Sequence, residues 1–200
     1  MQKVGLTFLL ALLAFALIFA LLPTQDQTNA ETGAHLQDVQ LTLYPMRDPD
    51  AVWRFGAANV THDPVTGTTT LTNLTGGQRL LRQKTSAGQY TGQEELDATL
   101  TTPTLQINNQ DDILSDHARM TLIRECADID LTGMPDNPVK IQQGVGFSAP
   151  KTVVDAPGMN VRFENLQMDF QFNILNQPKM SLIGDLDSKE RCINGKRVKS

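Results

Sequence analysis

The stretch LQMDFQFNI, residues 166–174, decides the fold class. Leu166, Met168, Phe170, Phe172 and Ile174 take every second position, with Gln167, Asp169, Gln171 and Asn173 between them. On a helix of about 3.6 residues per turn five such side chains scatter around the whole circumference. On a strand they form one apolar face. The same period recurs upstream, where Leu105 and Ile107 alternate with Gln106 and Asn108. Asn109 to Asp112 then supply a polar turn, and Ile113 restarts an extended run through Met120 and Leu122. Val161 and Phe163 keep the alternation until it slips by one residue before Leu166, which places a β-bulge near Glu164-Asn165.

Further strands follow on either side of this ladder. Ile129 and Leu131 flank Asp130, a Gly133–Pro138 turn follows, and Val139-Lys140-Ile141 lead through Gly144–Phe147 and Val153-Val154 to a break at Ala156-Pro157-Gly158. Toward the N-terminus Val39, Leu41 and Leu43 alternate with Gln40, Thr42 and Tyr44. Residues 52–75 read as a hairpin about Asp63-Pro64-Val65-Thr66-Gly67, because proline fixes φ early in a turn and glycine permits a positive φ later. Residues 83–95 are polar and contain glycine, so they read as a long mobile loop, and past Leu175 the pattern fades into a polar, basic tail over 176–200. Short strands joined by turns, without a helical period, predict an all-β domain over 38–175: a twisted β-jelly roll or open β-roll of antiparallel strands.

Val4 to Leu22 contains no charge, is rich in Leu, Ala and Phe, and ends at Pro23. As a helix it would span about 28 Å, close to the hydrocarbon thickness of a bilayer. Lys3 is the only charge before it, and no Lys or Arg follows until Arg47, so the N-terminus is expected in the cytoplasm and the remainder across the membrane. The competing reading is a cleaved signal peptide with Thr28-Asn29-Ala30 as its cleavage site, but its apolar core would be shorter. Residues 1–23 are therefore expected to be a retained transmembrane anchor and 24–37 a polar tether.

The 200 residues carry a net charge of −5, with Arg191, Lys196, Arg197 and Lys199 facing no acid in the last ten. An acidic chain without a basic stripe argues against nucleic acid, whose binding draws on phosphate neutralisation. Cys126 and Cys192 match no metal or redox motif. In an oxidising compartment they can close a loop worth about 4 kcal/mol in the chain-entropy model. Otherwise Cys126 is a small buried residue and Cys192 a tail thiol, and the polar tail favours that second reading.

Several local matches carry no chemistry. Gly144-Val145-Gly146-Phe147-Ser148-Ala149 fits a dinucleotide fingerprint, but Pro150 and Pro157 bracket a β-rich run and leave no helix to face a pyrophosphate. Asp128-Ile129-Asp130 opens like a calcium loop, yet Val139 stands where the bidentate acid is required, so the aspartates belong on the wet face of a strand. Asn59-Val60-Thr61 and Asn73-Leu74-Thr75 match the glycosylation tripeptide, which Thr-rich strands produce by chance. His35, His62 and His117 have no ligand at metal spacing, no serine sits in a nucleophile elbow, and Glu94-Glu95 and Asp111-Asp112 lie in polar turns. No catalytic residue, metal or cofactor is expected. Instead, Leu105, Ile107, Met120, Leu122, Val161, Phe163, Met168, Phe170 and Phe172 either fill a core or line an apolar groove suited to acyl chains.

A short cytoplasmic N-terminus, an anchor, a tether and a β domain together resemble LptC of the OstA-like group, the bitopic component of lipopolysaccharide export. The likeness rests on Trp53-Arg54-Phe55-Gly56-Ala57-Ala58-Asn59-Val60, Leu100-Thr101-Thr102-Pro103-Thr104-Leu105-Gln106-Ile107, Ser115-Asp116-His117-Ala118-Arg119-Met120 and Ala156-Pro157-Gly158-Met159-Asn160-Val161. It implies a twisted β-jelly roll with an open V-shaped groove for the acyl chains of lipopolysaccharide or another envelope glycolipid. It implies an N-terminal helix held by an inner-membrane ABC transporter, and a C-terminal edge paired with another OstA-like domain. The 166–174 strand is the expected edge, and Gly158 matches a late glycine in a tight turn. Residues 83–95 and the tail after Leu175 exceed the family pattern, and the tail can cover that edge. The alternative is an anchored or secreted structural or adhesive β-domain of the envelope without lipid cargo.

Overall fold

The computed structural model describes residues 33–183 and 189–199. The expected anchor, residues 24–32 of the expected tether and the alternative cleavage site lie outside them, while residues 34–37 of that tether already belong to the first strand. Within residues 33–200, one compact unit, the described chain is all-β and antiparallel. Its strands are β1 (Ala34–Leu43), β2 (Ala51–Asp63), β3 (Thr68–Lys84), β4 (Tyr90–Thr101), β5 (Thr104–Ile107), β6 (Ile113–Ser115) and β7 (His117–Leu122). They continue as β8 (Ala127–Thr132), β9 (Val139–Gln142), β10 (Gly146–Ala156), β11 (Met159–Met168), β12 (Lys179–Leu182), β13 (Glu190–Ile193) and β14 (Lys196–Lys199).

Two long strands, β3 and β10, organise the sheet. On one edge β3 bonds to β2; on the other it bonds to β5 at Thr69–Thr72 and to β4 from Gly77 to Lys84. Likewise β10 bonds to β11 on one edge, and on the other to β9 at Gly146–Ser148 and β8 at Lys151–Asp155. The strands β3-β4-β7-β8-β10-β9-β6-β5 therefore close on themselves as a ring of eight. Two pairs extend from it as wings, β1–β2 from β3 and β11–β12 from β10. The all-β expectation holds, but the roll is closed where the short strands β5, β6 and β9 bridge β3 to β10. These three supply ladder partners that an open sheet would leave as exposed edges.

Inward positions of β2 to β11 fill a single interior that includes Trp53, Phe55, Leu71, Leu100, Ile113, Ile129, Leu131, Ile141, Phe147 and Val154. Burying each large apolar side chain contributes about 1.5–3 kcal/mol. The hairpin expected over 52–75 forms, and Asp63 shapes its turn: its carboxylate accepts the Val65 amide at 2.8 Å, and its carbonyl accepts that of Gly67 at 2.9 Å. Pro157-Gly158 joins Ala156 to Met159, with Gly158 at φ 72°, the left-handed geometry a tight turn asks of its glycine. Asp128 and Asp130 sit on the outer face of β8, where Thr121 and His117 bond to them.

Six local expectations change. The strand read over 166–174 ends at Met168; the Asp169 carboxylate accepts the amides of Gln171 (2.9 Å) and Asn173 (2.8 Å) and folds the chain into a turn. Ile174 then returns to bridge Met168. Local carboxylate–amide bonds compete with a ladder, and here they end it. The edge expected there is also covered: Ile174 bridges Met168, the Leu175 amide donates to Gln167 O at 2.8 Å, and β12 pairs with β11 just upstream, from Val161 to Glu164. The phase slip at Glu164-Asn165 is real but is not a one-sided bulge. Ala149↔Leu166 and Lys151↔Glu164 keep one register, and both strands change face together where Pro150, which has no N–H, lies opposite Asn165 at φ 57°.

Residues 83–95 form the end of the β3–β4 hairpin instead of a mobile loop. Tyr90 lies under the Arg82 guanidinium at 3.7 Å, and its hydroxyl bonds the Asp50 carboxylate at 2.8 Å. The tail past Leu175 carries β12 and the β13–β14 hairpin. Cys126 and Cys192 are paired in a disulfide, 66 residues apart, so neither is the free thiol that the polar tail favoured. The β13–β14 hairpin is held by this covalent tie and by Arg197, which donates to Cys126 O at 2.9 Å, and neither leaves an apolar period in the sequence.

Candidate functional site

The nine expected groove residues come together, but inside the packed interior. Leu105 and Ile107 on β5, Met120 and Leu122 on β7, and Val161, Phe163 and Met168 on β11 are all buried, as is Phe170 in the turn after β11. Phe172 is half-buried against them. They belong to one packed cluster in this conformation, and Leu105 also borders a surface cleft.

An aromatic cluster joins the two wings. Trp53 and Phe55 on β2 stack at 5.6 Å, and Phe170 meets Trp53 and Phe147 edge-on at 6.2 and 5.9 Å. The Trp53 indole donates to Gln143 Oε1 at 3.1 Å. Arg79 lies 4.0 Å over the Phe170 ring and is itself buried. Its charge is answered by Asp97 and by Asp48 at 2.6 Å, while Arg124 bonds the other Asp97 oxygen at 2.8 Å. Asp97 is the extra residue where the β3–β4 register shifts, which is how an acid on a strand comes to face the interior. A second buried acid, Asp112, is met by Arg47 and by Lys140 at 2.9 Å. Trp53, Phe147, Arg79, Asp97 and Gln143 were absent from the sequence-derived site. Trp53 alone was within reach of that reading, as a large apolar residue at the start of a strand.

The apolar face does not stop at the core. On β1, Val39, Leu41 and Leu43 pair with the inward residues Ala57, Phe55 and Trp53. Directly opposed residues of antiparallel strands project to the same side, so this face continues the interior, and the three are partly buried. On β12, Met180 pairs with Phe163 and Leu182 with Val161, and here the continuation is bare: Met180 is 64 % and Leu182 61 % exposed. Both outermost strands thus carry the interior's apolar stripe out to an edge that, among the described residues, pairs with nothing further in the sheet.

Of two surface clefts, one is mainly polar and the other mixed. One, of about 410 Å³, lies over Gly56, Gly76 and Gly77 and is walled by Gln40, Arg54, Thr75, Gln78, Thr99 and Thr101. The other, of about 310 Å³, is bounded by Pro103, Pro135 and Pro138 with Ser115, Asp116 and His117. The Ser115 hydroxyl lies 2.9 Å from the carbonyls of Thr104 and His117, and the His117 ring is taken by Asp130 at 2.8 Å. That arrangement holds backbone together and does not activate the serine. Among the described residues no group of three His, Cys, Asp or Glu side chains is placed to hold a metal ion.

One acid displaced upward lies in the β7–β8 turn. Burial pushes the Glu125 carboxyl above its ordinary range, and Asp97 and Asp169 add to this against Arg124. On the surface, bonds from Lys84 and then Tyr90 hold Asp50 below the usual aspartate range. Fold and site together define an antiparallel β-roll with a filled apolar interior and two apolar edge strands. The sequence matches no family model and no curated protein.

Proposed function

We propose that this chain is a membrane-anchored module of the cell envelope, related in role to LptC, that receives lipopolysaccharide or a similar glycolipid on an apolar β surface and passes it to a partner. In this reading residues 1–23 form a single-pass inner-membrane anchor beside an ABC transporter, the N-terminus is cytoplasmic, and the β domain is periplasmic. The paired cysteines support an oxidising compartment. The observation that carries the reading is the apolar stripe leaving the core along β1 and β12, with Met180 and Leu182 bare at its end. An acyl chain laid against those two residues would recover about 1.5–3 kcal/mol for each side chain it covers. Separation of the wings would extend the surface inward past Val161, Phe163 and Phe170. Strand addition at β1 or β12 would supply the contact to another OstA-like domain.

The test is mass spectrometry of lipid extracted from the full chain purified from its own membranes. A stoichiometric glycolipid, lost in a Met180→Asp, Leu182→Asp double variant that keeps its fold, supports the proposal. Both positions are exposed, so loss of binding would not be loss of the core. A second reading has its own support: the packed Trp53–Phe55–Phe147–Phe170 cluster fits a structural envelope module without cargo. Purification free of lipid would favour it.

A further inference from the structure

The β13–β14 hairpin has two unlike faces. In its register Cys192 opposes Arg197, and these turn toward the body of the domain. Cys192 is tied to Cys126, and Arg197 reaches Cys126 O, the Asp155 carboxylate at 3.0 Å and Asp128 at 3.7 Å. The alternate pairs are Arg191↔Val198 and Ile193↔Lys196. By strand alternation these four side chains point away from the body. All four are exposed, Ile193 at 55 % and Val198 at 42 %. No carboxylate lies among them, and among the described residues neither Arg191 nor Lys196 has an acidic partner. The sequence carries a net charge of −5, yet this face presents two cations beside two apolar side chains.

We propose that this face docks the domain on an anionic phospholipid surface. The two cations suit headgroup phosphates, and Ile193 and Val198 sit at the depth where an apolar side chain enters the boundary with the acyl chains. The acidic remainder of the chain is repelled by such a surface, so charge complementarity selects this one face. The disulfide and Arg197 hold the hairpin from behind, so it is presented already ordered. The inference concerns how the domain lies at a membrane and is independent of what its interior carries.

The full chain is the material for the test, reconstituted in phosphatidylcholine bilayers with or without phosphatidylglycerol, each containing brominated lipid as a fluorescence quencher. An Ile193→Trp substitution places an indole on the face, and Trp53, the single native tryptophan and fully buried, reports that the fold is intact. The introduced indole should shift to the blue and be quenched in the anionic bilayer. Quenching should fall about tenfold with Arg191→Glu and Lys196→Glu together, and should fade in high salt. Equal quenching in both bilayers, or none in either, would overturn the proposal. A blue shift in detergent that grows with protein concentration would assign the face to a second copy of the chain and overturn it as well.

Discussion

Phe170 is enclosed by Trp53, Phe147 and the guanidinium of Arg79. Phe170→Ala should cost about 3–5 kcal/mol, read as a lower urea midpoint at unchanged slope. Arg79→Ala should cost a similar amount, about 3–5 kcal/mol, because it breaks a buried ion pair and leaves only Arg124 to answer Asp97. Glu125 sets a pH dependence. Its folded pKa is raised, so the native state holds its proton more tightly than the unfolded chain does. Stability from this group is therefore greatest below the unfolded value and is lost as pH rises through the window up to the folded one. Glu125→Gln should raise the melting temperature at neutral pH, with the gain vanishing in acid, where the wild-type carboxyl is already protonated. The burial of Phe170 was legible in the period of two around it. The partnership of Arg79 was not, since Asp97 and Asp48 lie 18 and 31 residues away and no period marks them.

At the scale of elements, the C-terminal hairpin depends on its covalent tie. Replacing both Cys126 and Cys192 by serine should cost about 2–5 kcal/mol in thermal or chemical unfolding. It should also speed amide exchange over residues 190–199 while leaving the ring strands protected. Gly158→Ala should cost about 1–2 kcal/mol, because a Cβ at φ 72° crowds the following carbonyl. Strand and turn positions were legible wherever an apolar residue recurred against a polar neighbour, as on β5, β7, β8 and β11. Three elements were not. The β3–β4 hairpin end is built by Tyr90 with Arg82 and Asp50, β12 has no buried face, and β13–β14 is held by a disulfide and one arginine. Such cross-chain polar and covalent bonds leave no local period. The alternation over 166–174 misleads for the opposite reason: the Asp169 carboxylate turns the chain at a point where hydrophobicity alone continues it.

For the whole molecule, closure of the ring by β5, β6 and β9 changes the meaning of the apolar list. Of the two roles open to those nine residues, core or lining, eight are buried in one packed cluster and Phe172 packs partly buried against it. What stays available is the periphery, where β1 and β12 carry the same face to the edge. The central claim is that the bare end of this face meets acyl chains. The most direct measurement is photo-crosslinking in the native membrane from a reactive residue substituted at Leu182, with Val65 in the exposed β2–β3 turn as the control. A glycolipid adduct is expected at position 182, absent at 65, and weakened when Met180 is changed to aspartate. Equal labelling at the two positions, or adducts at 182 with protein alone, would contradict it.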